Sequence, residues 1–214
     1  MRLMKLFLVS LGLLAGAAIG QTSPAPVAAP DPQNILHLQL STGGEVVIAM
    51  RPDKAPASVD RIRTLTRAGF YDGVVFHRVI DGFMAQTGDP KGTGEGGSPL
   101  PDLKAEFNDL PHLRGVVSMA RTDAPDTANS QFFICFQPTI RLDGKYTAFG
   151  RVTSGMQYVD AITRGEADGR VVGDPSKVVR AWIAADGPNA ARVALIVPVA
   201  PLAPPAAEAP KPNN

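Results

Sequence analysis

Cysteine occurs once in this 214-residue chain, at Cys135. That excludes an internal disulfide and every multi-cysteine metal or redox motif. Cys135 lies in the apolar run Phe132 to Phe136, where it reads as a small buried hydrophobe rather than a catalytic thiol. Histidine is scarce too. His37, His77 and His112 are scattered, with no H-E-x-x-H or comparable pairing, so each reads as a structural hydrogen-bonding residue and not a metal ligand. Charged residues make up only 19% of the chain, and the formal net charge is +1. That balance carries no nucleic-acid or anionic-membrane footprint. No G-x-S-x-G elbow supports serine hydrolysis, and the carboxylates show no paired spacing.

One nominal motif is discarded. Gly92-Thr93-Gly94-Glu95-Gly96-Gly97 fits G-x-G-x-x-G, but Ser98-Pro99-Leu100-Pro101 follows where a dinucleotide site needs a helix. The segment is expected to be a long flexible loop.

The N-terminus is read as a cleavable export signal spanning 1–20. Arg2 and Lys5 supply a basic start, Leu6 to Leu14 an apolar stretch, and Ala18-Ile19-Gly20 the small residues before a cut. The stretch is shorter than the roughly 20 residues that span a bilayer, so no stable membrane insertion is expected after cleavage. Removing it takes away both basic residues and moves the net charge from +1 to −1. A Pro/Ala-rich linker over 21–33 and a Pro/Ala-rich flexible tail over 188–214 flank a domain at 34–187. The expected location is periplasmic or secreted, and monomer is the default state.

The domain reads as mainly β. Ile35 to Leu40, the turn Thr42-Gly43-Gly44 and Glu45 to Met50 predict an opening hairpin. Ala57 to Ala68 predicts a helix from the spacing of Val59, Ile62 and Leu65, with Ser58 as a cap and Gly69 as its stop. Further strands are expected at Val74 to Val79, Met84 to Thr87, Val116 to Met119, Gln131 to Phe136, Ala148 to Val152 and Val178 to Ala184. A second helix is expected at Met156 to Thr163. Many short strands, two helices and Gly-rich connections predict a closed or nearly closed antiparallel barrel capped by the helices.

Strand alternation then gathers candidate site residues. Arg78 faces away from His77, Met84 and Gln86 share one face, and Gln131 and Phe133 share another, with Phe132 and Ile134 turned to the core. A site built from one arginine, two glutamines, a methionine and phenylalanines suits a neutral, apolar substrate that needs only a few placed hydrogen bonds.

These segments closely resemble the cyclophilin family of peptidyl-prolyl cis-trans isomerases. The co-linear matches include Phe76 to Asp89, Gly92-Thr93-Gly94, Glu106-Phe107, His112 to Gly115, Ser118 to Arg121, Ser130 to Ile134, Leu142 to Tyr146 and Phe149-Gly150. The resemblance implies a closed eight-stranded antiparallel barrel with two helices and rotation of X–Pro bonds in unfolded or flexible polypeptides. It implies no cofactor and no metal. It puts Arg78 and Gln86 in catalytic places, and Phe83, Met84, Phe133 and Leu142 in the walls of the proline pocket. Gln131 joins Gln86 in holding the substrate backbone, while Ala120, Arg121 and Tyr146 stand at the rim. Arg141 stands where the best-known eukaryotic members have a tryptophan that contacts cyclosporin, Tyr146 where they have a histidine, and Arg121 where they have an asparagine. Weak cyclosporin binding is therefore expected, as in the bacterial branch. A non-catalytic holdase of the same fold remains the alternative, and a structural envelope role has only the Pro-rich tails in its favour.

Overall fold

The computed structural model describes residues 29–197. The expected signal over 1–20, most of the linker and the tail from 198 onward lie outside the described residues. Eight strands form one antiparallel sheet: β1 (Ile35–Leu40), β2 (Glu45–Met50), β3 (Arg78–Ile80), β4 (Met84–Thr87), β5 (Val116–Met119), β6 (Phe132–Cys135), β7 (Ala148–Ser154) and β8 (Val178–Ile183). Their order across the sheet is β3-β4-β6-β5-β7-β2-β1-β8. Two helices, α1 (Pro56–Arg67) and α2 (Met156–Asp160), complete the fold. Among the described residues no helix is long and apolar enough to cross a membrane.

Alternation fixes the hairpin. Leu36, Leu38 and Leu40 of β1 and Val46, Ile48 and Met50 of β2 all turn into the core. A slip by one residue would put all six in water. The turn works because Gly43 adopts φ +100°, which costs a residue without Cβ nothing. Helix α1 adds Val59, Ile62 and Leu65, and the α2 region adds Val159 and Ile162, to the same continuous core as Phe132, Ile134 and Phe149.

Ser58 does not cap α1. It sits inside the first turn, and the unpaired N–H groups there are satisfied by Glu106 instead. The Glu106 carboxylate accepts from Ala57 N and Ser58 N, both at 2.9 Å, and from Ser58 Oγ at 2.7 Å. A carboxylate suits the positive end of the helix better than a hydroxyl does. Helix α2 ends earlier than expected because Thr163 is drawn to Ser176 Oγ (N to Oγ 3.0 Å).

The barrel is not closed. The sheet is an open, curled half-barrel whose edges are β3 and β8. Only a single bridge, Val75 to Lys177, and bonds such as Phe76 N to Ser176 O (2.8 Å) join the chain before β3 to the chain before β8. The reason is local. The connector around residues 165–171 occupies the outer edge of β3, with Val79 N donating to Gly169 O (2.6 Å) and Gly165 N to Val79 O (2.9 Å). Gly169 permits that approach: a Cβ there would lie 2.4 Å from Ile80 Cγ1 of β3. The expected strand over Val74 to Val79 is accordingly regular only from Arg78.

The chain past 187, expected to be free tail, lies on the domain over 192–195. Arg192 donates to Thr66 O and Ala181 O (both 3.1 Å) and pairs with Asp72. Val193 N donates to Arg67 O (3.0 Å), and Leu195 packs against the core. At the other end Asp31 accepts from Gln33 N (2.9 Å), so order begins within the expected linker.

Candidate active site

Four neighbouring strands carry one row of side chains. Arg78 on β3 pairs with Gln86 on β4, Gln86 with Phe133 on β6, and Phe133 with Ser118 on β5. Residues directly opposite in a ladder share a face, so the sheet itself aligns Arg78, Gln86 and Phe133. The next row, Ile80, Met84 and Cys135, runs beside it. Together with Ala120, Leu142, Phe83 and Tyr146 these apolar groups form a second cluster, separate from the main core and on the outer face.

That cluster floors a cavity of about 190 Å³, lined by Arg78, Phe83, Met84, Gln86, Ala120, Arg121, Phe133, Leu142 and Tyr146. All but one of the candidate residues therefore meet in one place. Gln131 stands just behind them and reaches the cavity through Gln86: Gln86 Nε2 donates to Gln131 Oε1 at 2.8 Å. The Gln131 amide donates in turn to Gly94 O (2.9 Å) and Gly96 O (2.8 Å), which fixes it. With its amide nitrogen so engaged, Gln86 turns its oxygen toward Arg78, 3.5 Å from Nη1. The guanidinium makes no other hydrogen bond among the described residues, so its remaining donors are available beside an apolar floor.

Two further arginines stack on the cavity walls. Arg121 lies 4.6 Å over the Tyr146 ring and Arg141 lies 4.7 Å over the Phe83 ring. Arg121 is also structural. It donates to Lys145 O, Thr122 O and Asp123 O at 2.7 to 3.1 Å and so ties two loops together.

The Gly-rich stretch is a loop, as its prolines predict, but it is built around a buried carboxylate rather than left loose. Asp89 accepts from Lys91 N (2.8 Å), Thr93 N (2.9 Å) and Gly94 N (2.7 Å). Gly96 is pressed so close that a Cβ there would fall 1.9 Å from Asp89 Oδ1. Burial alone would raise the Asp89 pKa, but the converging backbone donors outweigh it and hold the carboxyl below its usual range.

Two of the three histidines are paired, through His37 to Glu45 and His112 to Asp143, both at 2.8 Å. His77 departs from the expectation. It is 6% exposed, and neither ring nitrogen has a partner. The Cys135 thiol is fully buried and pushed up to about 12 by that burial, with Asp143 adding to it, so it is no nucleophile.

Residues 36–182 match the family described as cyclophilin type peptidyl-prolyl cis-trans isomerase. The chain belongs to the cyclophilin family. It is 46% identical over 189 residues to a probable peptidyl-prolyl cis-trans isomerase of Brucella suis, covering 83% of this chain and 96% of that one. A peptidyl-prolyl cis-trans isomerase of Schizosaccharomyces pombe is 40% identical over 152 residues, covering 68% of this chain and 97% of that one. Among solved structures, a cyclophilin from Hirschia baltica superimposes with a TM-score of 0.66 at 30% identity, over 73% of this chain and 76% of that chain. A Cryptosporidium parvum cyclophilin, determined in the presence of the dipeptide Ala-Pro, gives 0.64 at 26% identity, over 70% of this chain and 98% of that one.

In this cyclophilin the sequence reading missed a triad beneath the pocket. Asp143 Oδ1 meets His112 Nδ1 at 2.8 Å, and His112 Nε2 meets Ser118 Oγ at 2.8 Å. The order mimics a hydrolase, but Ser118 is fully buried, so no substrate reaches it. Its effect is positional. The imidazole stacks on Phe133 (6.3 Å, 20°), and Asp143 also accepts from His112 N (2.8 Å). A signal existed in the sequence, since His112, Ser118 and Asp143 all fall within the motifs that carry the family resemblance.

Proposed function

We propose that this cyclophilin turns X–Pro bonds of exported polypeptides with Arg78 as its catalytic group and Gln86 as the residue that aims it. The single observation behind this reading is the Arg78 guanidinium, held against Gln86 at the edge of the apolar cavity with donors to spare.

The chemistry follows from the amide. Rotation breaks resonance, against a barrier of about 18–20 kcal/mol, and proceeds unaided over roughly tens to hundreds of seconds. At the twisted geometry the prolyl nitrogen becomes pyramidal and regains a lone pair. A guanidinium can donate to that nitrogen there, an interaction that the planar amide, with its nitrogen lone pair delocalised, offers in neither ground state. Stabilising only the twisted state is what lowers the barrier. Phe83, Met84, Phe133 and Leu142 seat the proline ring and keep water out, which strengthens the fixed donor. Gln86, Ala120, Arg121 and Tyr146 hold the flanking backbone, and Gln131 fixes Gln86 from behind. The rotation itself moves no proton and forms no covalent bond.

The substrate is a proline-bearing unfolded or flexible polypeptide, in keeping with the Cryptosporidium cyclophilin structure determined in the presence of Ala-Pro. Cyclosporin binds weakly, because Arg141 stands where a broad apolar surface would be needed. The basic start, apolar stretch and small residues of 1–20 support export to the periplasm or beyond. The mature chain should begin near Gln21, which mass spectrometry of the native protein reads directly.

Exchange NMR on a short X–Pro peptide tests the catalytic reading. Faster cis–trans exchange at substoichiometric protein supports it. Binding of the peptide without faster exchange overturns it and leaves the holdase.

A further inference from the structure

We propose that Arg141 makes this protein selective for prolines with an acidic side chain beside them. The inference rests on the proline-pocket reading above and adds a preference among its substrates.

The charge lining the pocket is of one sign. Two arginines and no carboxylate line the cavity, and Arg141 leans over one of its walls. Of the ten other arginines among the described residues, six have a carboxylate partner, Arg51 with Asp53, Arg67 with Asp186, Arg114 with Asp160, Arg164 with Asp81, Arg170 with Asp168 and Arg192 with Asp72, while Arg61, Arg63, Arg151 and Arg180 have none but do not border the cavity. Arg78, Arg121 and Arg141 have no carboxylate partner among the described residues. Arg78 has only Gln86, Arg121 is held by carbonyls, and the Arg141 guanidinium makes no hydrogen bond among the described residues. Nearby acids are committed elsewhere. Asp143 serves His112, Asp81 serves Arg164, and Asp168 lies 4.0 Å from Arg170. Glu95 and Asp102 line an adjoining cavity under the Gly-rich loop, which shares Gln86, Ala120 and Arg121 with this one but does not include Arg141.

Stacking on Phe83 places Arg141 at the cavity wall without using its donors. Chain flanking a seated proline advances about 3.3–3.6 Å per residue, so the neighbouring side chains emerge at the pocket walls. A planar fork with every donor free matches a carboxylate there. Arg121 and Arg78 add a positive field that attracts acidic segments and repels basic ones.

The test uses X–Pro peptides that differ only in carrying Glu, Gln or Lys next to the proline, before it in one set and after it in another. Binding and exchange are both read by NMR at low and at physiological salt. In at least one set Glu should bind about two- to fivefold tighter than Gln, the range of an exposed ion pair, with Lys weaker than both. The Glu-to-Gln ratio should shrink with added salt. It should collapse in Arg141→Gln and persist in Arg141→Lys. Equal binding of Glu and Gln peptides at low salt overturns the proposal, as does an unchanged ratio in Arg141→Gln. If no peptide exchanges faster, the catalytic reading falls instead, and the binding ratios alone decide the charge preference.

Discussion

Arg78 and Gln86 are direct partners across the β3–β4 ladder, and the Gln86 amide oxygen lies 3.5 Å from Arg78 Nη1. Behind them Gln131 and the carbonyls of Gly94 and Gly96 dictate which way the Gln86 amide points. The guanidinium is thus oriented by a chain of hydrogen bonds that ends in the loop around Asp89. Preorganisation of this kind matters because a donor already in place needs no rearrangement as the amide twists.

Arg78→Ala should therefore remove most of the isomerisation while the fold survives and peptide binding weakens only modestly. Losing one preorganised donor costs on the order of 3 kcal/mol in the barrier, about a hundredfold or more in rate. Arg78→Lys should recover little, since an ammonium cannot reproduce the fork. Phe133→Ala should instead weaken binding along with turnover. Near-full exchange rates in Arg78→Ala would overturn the assignment.

Arg141→Trp should tighten cyclosporin binding by roughly 1–3 kcal/mol, the scale of burying one large side chain. The guanidinium over Phe83 presents a charge that an apolar ligand must partly desolvate. A calorimetric titration showing no gain would mean that position 141 does not touch the ligand.

Asp89→Asn should loosen the Gly-rich loop and, through it, the aim of Gln86. A neutral amide accepts less strongly from the backbone N–H groups of Lys91, Thr93 and Gly94. Losing the charge should cost about 1.5–3 kcal/mol. Because folding lowers this carboxyl's pKa, its contribution is present above pH 3.8 and fades as pH falls through the folded value. Denaturant melts give the stability, and kcat should fall with it.

Much of this was legible in the chain. Alternating Leu and Val residues specify the opening hairpin, and the same alternation puts Arg78, Gln86 and Phe133 on the outer face. Features that depend on distant chain were not legible. Glu106 caps α1 from 48 residues away, and nothing local distinguishes it from a surface glutamate. The edge of β3 is taken up by the approach of Gly169 to Val79 and Ile80, which only tertiary packing reveals. His112, Asp143 and Ser118 were each visible within motifs, but their mutual hydrogen bonds were not.

Ending the chain after Gly187 should lower stability by roughly 1–3 kcal/mol, the range for hydrogen bonds to a charged group. That cut removes Arg192 from Asp72, Thr66 O and Ala181 O and lifts Leu195 off the core. Ending it after Ile196 keeps all of these contacts and should leave the melting temperature and isomerase rate unchanged. Equal melting temperatures for the two truncations would show that the 192–195 contact contributes nothing.

His77 should give the protein a pH-dependent stability that one substitution removes. Burial lowers its pKa below 6.5 and neighbouring Arg78 lowers it further, against opposing pulls from Asp89 and the nearby Gln131 side chain. Neither nitrogen meets a partner at hydrogen-bond geometry, so the folded state favours the neutral ring. The unfolded ring titrates near 6.5, hence as pH falls below 6.5 protons bind the unfolded chain first and favour it. Stability from this group is fully present above that pH and declines below it, by at most about 1.4 kcal/mol per pH unit. His77→Phe fills a similar volume and cannot titrate. Denaturant melts at pH 7.5 and 5.0 should then show a smaller acid loss in the variant than in the parent, while His37 and His112 contribute equally to both. Identical losses would mean that His77 finds a partner for its charged form.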